Sequence, residues 1–349
     1  MLFRMPMKTG RRAMPSHSII HAFSLLALAF GAALAHAGEK PLTLSEALSR
    51  TMAQNPGLQV FDFRLQGLDG RRITADQNPA LEAGLEVENF LGSDNLRGVD
   101  GAEYTLSLSS VLELGGKRQA RVSVVDSQYG RVEAERRAET LDLLGQATQR
   151  FVATLALQEK LQLAAEAVAL AEATHEIVTR RADRGAAPQA EVLRARAALT
   201  QSRIEQSHLR AAYESRKMAL ASLWGDTSPD FQMLEGDLFQ FGSSDNFDAL
   251  YQRVSDSPAI QIYASEQRIR EAEIQLARSQ SESDIRWQVG IRRFEETDDT
   301  ALTAGLSVPL FSGRRNRGEV QAALAARDEV QYRREDTLLR LHSRLFEAY

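Results

Sequence analysis

Between residues 81 and 114 the chain twice alternates apolar and polar positions with a period of two. Leu81, Ala83, Leu85 and Val87 fall on one face of an extended strand, and Glu82, Gly84, Glu86 and Glu88 fall on the other. A second run sets Tyr104, Leu106, Leu108, Leu112 and Leu114 against Glu103, Thr105, Ser107, Ser109 and Glu113. The pattern returns late in the chain. Trp287, Val289 and Ile291 oppose Arg286, Gln288 and Arg292, and Leu302, Ala304, Leu306 and Val308 oppose Thr303, Gly305 and Ser307. Each run is roughly ten residues, the length of a tilted strand that crosses a bilayer. One such run alone is as well explained by a half-buried strand of a soluble sheet, but four runs in two spaced pairs favour a membrane sheet. Four strands are too few to close around a lumen, and an unpaired edge cannot sit in lipid. The strands must therefore be pooled among copies of the chain, and the spacing does not choose between a dimer and a trimer.

The periodicity then changes. From Lys117 to Arg184 there is no proline, and the only glycines are Gly130 and Gly145. At 1.5 Å per residue, about 65 helical residues extend on the order of 100 Å, far beyond a globular helix. Val122, Val125, Tyr129 and Val132 recur at intervals of three and four, and Leu144, Phe151, Leu155 and Leu163 do so more loosely, which predicts a coiled-coil-like seam. The break comes at Arg184-Gly185-Ala186-Ala187-Pro188, where glycine can end one helix and proline can begin the next. A second helix is predicted to run to about Trp224 and close at Gly225. A solvated coiled-coil scaffold would account for this hairpin alone, but not for the strands that precede it. Upstream, Thr43-Leu44-Ser45-Glu46 has the form of a capping box, and a helix is expected from about Pro56 to Gln77.

The pattern is duplicated. Asn55-Pro56-Gly57-Leu58-Gln59-Val60 returns as Ser257-Pro258-Ala259-Ile260-Gln261-Ile262, and Val111-Leu112-Glu113-Leu114-Gly115-Gly116-Lys117-Arg118 returns as Val308-Pro309-Leu310-Phe311-Ser312-Gly313-Arg314-Arg315. Both matches keep their order at an offset of about 200 residues, which argues for a repeated unit. The sequence therefore divides into a first unit at 38–225, a linker or equatorial segment at 226–256 and a second unit at 257–349. By the repeat offset, Tyr349 corresponds roughly to Val152. A second hairpin tip and returning helix are thus expected in a continuation of about 70 residues beyond Tyr349.

Composition narrows the function classes. Lysine and arginine number 42 against 47 acidic residues, for a net charge of −5, which gives no basic field for nucleic acid. The absence of cysteine excludes disulfide frameworks, thiolate metal sites, cysteine nucleophiles and a lipid-anchor cysteine. Residues 1–37 have the form of a secretory signal: Arg4, Lys8, Arg11 and Arg12 precede a mostly apolar stretch from Ile19 to Leu34, and Ala35-His36-Ala37 supplies the small-x-small cleavage pattern. Beyond it no apolar run approaches the ~18 residues of a membrane-spanning helix.

Together these segments resemble the TolC family of outer-membrane channels over essentially the whole mature chain. Asn78-Pro79-Ala80-Leu81-Glu82, Glu86-Val87-Glu88-Asn89-Phe90, Tyr104 to Ser109 and Leu112 to Arg118 are similar to the CzcC-like branch of cobalt, zinc and cadmium efflux. The resemblance implies an α plus transmembrane-β fold. In it, long antiparallel helices form a periplasmic α-barrel and four strands per protomer enter a trimeric twelve-stranded outer-membrane β-barrel. It implies as partners a homotrimer, a periplasmic adaptor, an inner-membrane RND-type proton-driven pump and outer-membrane lipid. It also places the adaptor contact at Arg184, Gly185, Ala186, Ala187, Pro188 and Glu191, although Ala186 departs from the bulkier residue common there. Export of organic compounds by the same fold is the alternative within transport.

Other motifs carry less. Gly115-Gly116-Lys117 lacks the spacing and the following hydroxyl residue of a phosphate loop and reads as a strand-to-helix turn, as does Gly313 in the second unit. His175-Glu176 lacks the second histidine of a zinc-protease helix. Glu82, Glu86 and Glu88 are spread along a strand instead of converging, so they are expected to line a lumen together with Glu103, Glu113, Arg286 and Arg292. No catalytic set stands out, and no metal or cofactor is expected.

Overall fold

A computed structural model describes residues 41–94, 97–239 and 246–349; the signal sequence read at 1–37 lies outside the described residues. A short strand β1 (Leu42–Thr43) leads into α1 (Leu44–Gln54), whose first turn is capped by Thr43 accepting from Glu46 N at 3.2 Å. Asn55 caps the next helix, α2 (Pro56–Ala75), by accepting from Leu58 N, and proline occupies the first helical turn, where no backbone donor is needed. There follow β2 (Glu82–Glu88), β3 (Glu103–Leu112) and the 67-residue α3 (Lys117–Asp183), which is about 100 Å long. The chain returns through α4 (Gln189–Ala221) and a 3-10 turn (Ser222–Trp224) closed by Gly225 in the left-handed conformation at φ 78°. Next come β4 (Leu234–Glu235) and α5 (Phe247–Ser255). The second half repeats the first: α6 (Pro258–Ser279), β5 (Ile285–Phe294), β6 (Thr300–Ser307), a single turn α7 (Ser312–Arg315) and α8 (Arg317–Ala348).

The two units meet in two layers. In the sheet the order is β2-β3-β5-β6, all antiparallel, so the β3–β5 seam joins the units. In the helical layer α3 packs against both α2 and α6, and α6 packs against α8. Phe61 and Leu68 of α2 meet Val125 and Val132 of α3, with Tyr129 beside them, as the seam at 122–132 predicts. Ion pairs between Arg64 and Glu135 and between Arg72 and Asp126 flank this contact.

The principal core lies part-way along α3, where α4 ends. Leu143, Ala147, Phe151 and Leu155 form one face four residues apart and pack on Leu220, Leu223, Trp224, Phe231 and Leu234. The parallel pairing of β1 with β4 at Leu42↔Leu234 closes this core from the side. The stretch around Phe231 and Leu234 is thus more than a connection. The expected seam shifts here, because Leu143 is buried where Leu144 was expected, and Leu163 is 63% exposed. An α-helix drifts by about 20° per heptad relative to a 3.5-residue repeat, so one stripe cannot stay inward over such a length.

Tyr213 of α4 joins this core to the crossing strand. Its hydroxyl lies 2.8 Å from Gln232 O and 3.1 Å from Gln158 Oε1. Burial pushes the phenol up to about 12. A raised tyrosine pKa favours the folded state fully below the ordinary value near 10, and that contribution is lost as pH rises through the folded value. The Tyr129 phenol is also raised, by its hydrogen bond to Asp69, so alkaline titration followed by tyrosine absorbance is expected to show late-ionising phenols, of which the one near 12 disappears in Tyr213→Phe. An unchanged curve in the variant would overturn the assignment.

Candidate functional site

The cross-strand register sorts the sheet into two chemically distinct faces. The row Leu85–Leu106–Ile291–Leu302 lies on one face, and the adjacent row Glu86–Thr105–Arg292–Ala301 lies on the other. On the apolar face Leu85, Leu106, Leu302 and Leu306 are 71%, 62%, 85% and 78% exposed. A contiguous apolar surface of this kind is not stable against water and requires lipid or protein cover. Among the described residues, no helix is long and apolar enough to cross a membrane.

The polar face carries Glu82, Glu86, Glu88 and Glu103 with Arg286 and Arg292, and it also collects the strand glycines Gly84, Gly290 and Gly305. A Cβ on Gly290 would stand 2.7 Å from Leu106 O and 2.8 Å from Thr303 Oγ1, so this face is already crowded near its centre. Glu82 and Glu86 are exposed and make no ion pair among the described residues, whereas Arg292 pairs with both Glu88 and Glu103 at 2.8 Å. Glu113 is placed differently. It lies one residue beyond β3, and both its oxygens are held by Arg121, at 2.5 and 2.9 Å. These hydrogen bonds hold the Arg121 guanidinium above the ordinary arginine value.

That pair belongs to the junction between sheet and helices. Lys117, buried at the start of α3, reaches Asp284 at 2.7 Å and donates to Glu282 O at 2.8 Å, while Leu114 N donates to Asp284 Oδ1 at 3.1 Å. Gly115 and Gly116 turn the chain at φ 71° and 69°. In the second unit Gly313 lies within α7, and the left-handed position is taken by Phe311 at φ 64°. Asp284 was not singled out by sequence. Its only sequence signal is its place one residue before the first residue of β5, and its partners lie about 170 residues away.

At the far end of α3 the hairpin tip is a tight left-handed cap. Gly185 N donates to Ala182 O at 2.9 Å and Ala186 N to Arg181 O at 2.8 Å, with Gly185 at φ 73°. This is a Schellman arrangement, which satisfies the last carbonyls of α3. Pro188 stands as the N-cap of α4, and Glu191 lies in its first turn. Arg184, Ala186, Ala187 and Pro188 thus form a short apex between two antiparallel helices, tied below by Arg203 to Glu172 at 2.7 Å.

A sheet with one lipid-seeking face, joined through clasped turns to helices that extend far from it, is an outer-membrane architecture. The family model described as "Outer membrane efflux protein" matches residues 48–226. The chain belongs to the outer membrane efflux protein family. It is similar to the cobalt-zinc-cadmium resistance protein CzcC of Cupriavidus metallidurans, with 26% identity over 83% of this chain and 68% of that one. It is also similar to the nickel and cobalt resistance protein CnrC of the same organism, with 27% identity over 86% of this chain and 72% of that one. Among solved structures it shares its fold with the outer membrane protein VceC of Vibrio cholerae: the TM-score is 0.61 at 19% identity, covering 85% of this chain and 75% of that one. As a member of this family the protein is an outer-membrane channel component. Its strands lie in the outer membrane, and its long helices form the periplasmic part.

Proposed function

We propose that the protein is the passive exit duct of a tripartite efflux system for divalent heavy-metal cations, assembled as a homotrimer. The observation that carries the assembly is the β3–β5 seam. A strand of the first unit there pairs with a strand of the second, while β2 and β6 remain as open edges of the same two kinds. Neither edge can lie unpaired in lipid, so β6 of one copy pairs with β2 of the next. Three copies of four strands supply a twelve-stranded barrel. Its polar face, with four carboxylates against two guanidinia on the strands of each copy, lines the lumen and favours cations. The relatives named for cobalt, zinc, cadmium and nickel resistance support the same substrate class. The tip around Gly185, with Arg184 exposed beside it and Glu191 half-buried in the first turn of α4, is the surface offered to a periplasmic adaptor, and through it to an inner-membrane RND-type pump.

The test is growth of a deletion strain, with and without the full-length gene restored, across graded zinc, cobalt and cadmium and a hydrophobic dye. Sensitivity confined to the metals is expected. Sensitivity to the dye alone would keep the duct and replace its substrate with organic compounds, and recovery of the protein in the soluble periplasm would overturn the duct itself.

A further inference from the structure

At the end of the sheet farthest from the helices, Glu88 and Glu103 are directly opposed on neighbouring strands and point to the same polar face. Residues so paired have Cβ atoms about 5 Å apart, and like charges in that position repel. Two such carboxylates facing a lumen are also a ready bidentate hold for a divalent cation. Arg292 occupies the space between them. It rises from β5 in the row below and crosses β3, with Nε donating to Thr105 Oγ1 at 2.9 Å and Nη1 donating to Glu103 Oε2 at 2.8 Å. Its Nη2 lies 2.8 Å from Glu88 Oε2 on β2. Asn89, in the left-handed conformation at φ 54°, donates to the other oxygen of Glu103 at 2.8 Å. Thr105 is only 3% exposed, so the guanidinium is held at its base as well as at its fork. By contrast, Glu82 and Glu86, nearer the helices, have no such counter-ion among the described residues.

We propose that Arg292 is a specificity-determining residue of the duct: a built-in counter-cation that occupies the Glu88–Glu103 pair and keeps the outer mouth from retaining the divalent ions that pass it. A conduit needs binding weak enough for release. The exposed carboxylates along β2 attract cations without gathering them, whereas an unguarded pair at the exit would hold them. This inference rests on reading the polar face as the lumen.

The experiment is ion conduction by the full-length protein in planar bilayers, with zinc chloride added as the probe to the side facing the strand turns. Wild-type current is expected to be little changed by zinc. Arg292→Gln is expected to conduct and to be blocked at a zinc concentration lower by about tenfold or more, the fold-change that corresponds to loss of one charge-assisted pair. Adding Glu88→Gln and Glu103→Gln should restore the wild-type response. Arg292→Lys keeps the charge but cannot fork across both carboxylates, so it should fall between the two. It also asks the same question if the glutamine variant does not assemble. A conducting Arg292→Gln or Arg292→Lys channel with wild-type zinc response overturns the role given to Arg292 and leaves the duct intact. Failure of the wild type to conduct overturns both.

Discussion

Leu106→Arg is expected to abolish assembly in the outer membrane, whereas Glu82→Arg is expected to assemble and conduct with altered ion preference. The two positions lie in adjacent strands of one sheet on opposite faces, Leu106 inside β3 and Glu82 at the first residue of β2. Leu106 is in the interior of β3, flanked by Leu85 and Ile291, with Leu302 beyond, and is 62% exposed on the apolar side. A guanidinium there must enter hydrocarbon, at about 2–4 kcal/mol near the bilayer midplane, and each copy in the barrel pays separately. Per copy, that penalty is a large fraction of an ordinary folding stability of roughly 5–15 kcal/mol. Glu82 shares its row with Ser109, Gln288 and Gly305 on the polar side, where an arginine can reach water. Membrane fractionation and heat-modified gel mobility of the two variants check the assignment of faces. Normal assembly of Leu106→Arg would mean that this face does not meet lipid, and loss of Glu82→Arg alone would reverse the two faces.

The same contrast shows how far the sequence could be read. The strand faces were legible because period two is set by backbone geometry alone: Leu85, Leu106, Ile291 and Leu302 needed no knowledge of their partners to be put on one side. The tip was legible because only a residue tolerant of positive φ ends a helix as Gly185 does. What could not be read depends on contacts distant in the chain. Nothing local to Asp284 announces Lys117, and nothing local to Leu234 announces Leu42. The central core escaped for that reason, and with it the inward turn of Leu143 in place of Leu144. Glu113 kept strand parity but not strand membership. Parity says which way a side chain would point if the strand continued, but here the chain leaves β3 at Leu112 and Arg121 takes the carboxylate.

Gly115→Val is expected to uncouple sheet from helices, while Gly116→Ala, one residue later, costs about 1 kcal/mol, the price of a left-handed non-glycine residue. Both glycines have positive φ, so conformational strain alone does not separate them. Space does. A Cβ at Gly116 meets nothing within 4 Å, whereas one at Gly115 would stand 2.6 Å from Glu282 Cγ, 2.8 Å from its Cβ and 3.1 Å from Ser279 O. The Glu282 side chain can swing away, but the Ser279 carbonyl belongs to the end of α6 and moves only with its backbone. Any such shift acts on Asp284, which holds both Leu114 N and the buried ammonium of Lys117. Leaving a buried ion without its partner typically costs 3–5 kcal/mol, so valine at 115 adds strain, a clash and a broken pair in one place. The purified variants in detergent, compared by thermal melting and by recovery of assembled protein, give the answer. Loss of the assembled form in Gly115→Val with near-normal melting of Gly116→Ala locates the coupling in the α6–β5 turn. Equal, mild effects would mean that this turn yields, and that the two units are joined chiefly through the β3–β5 seam.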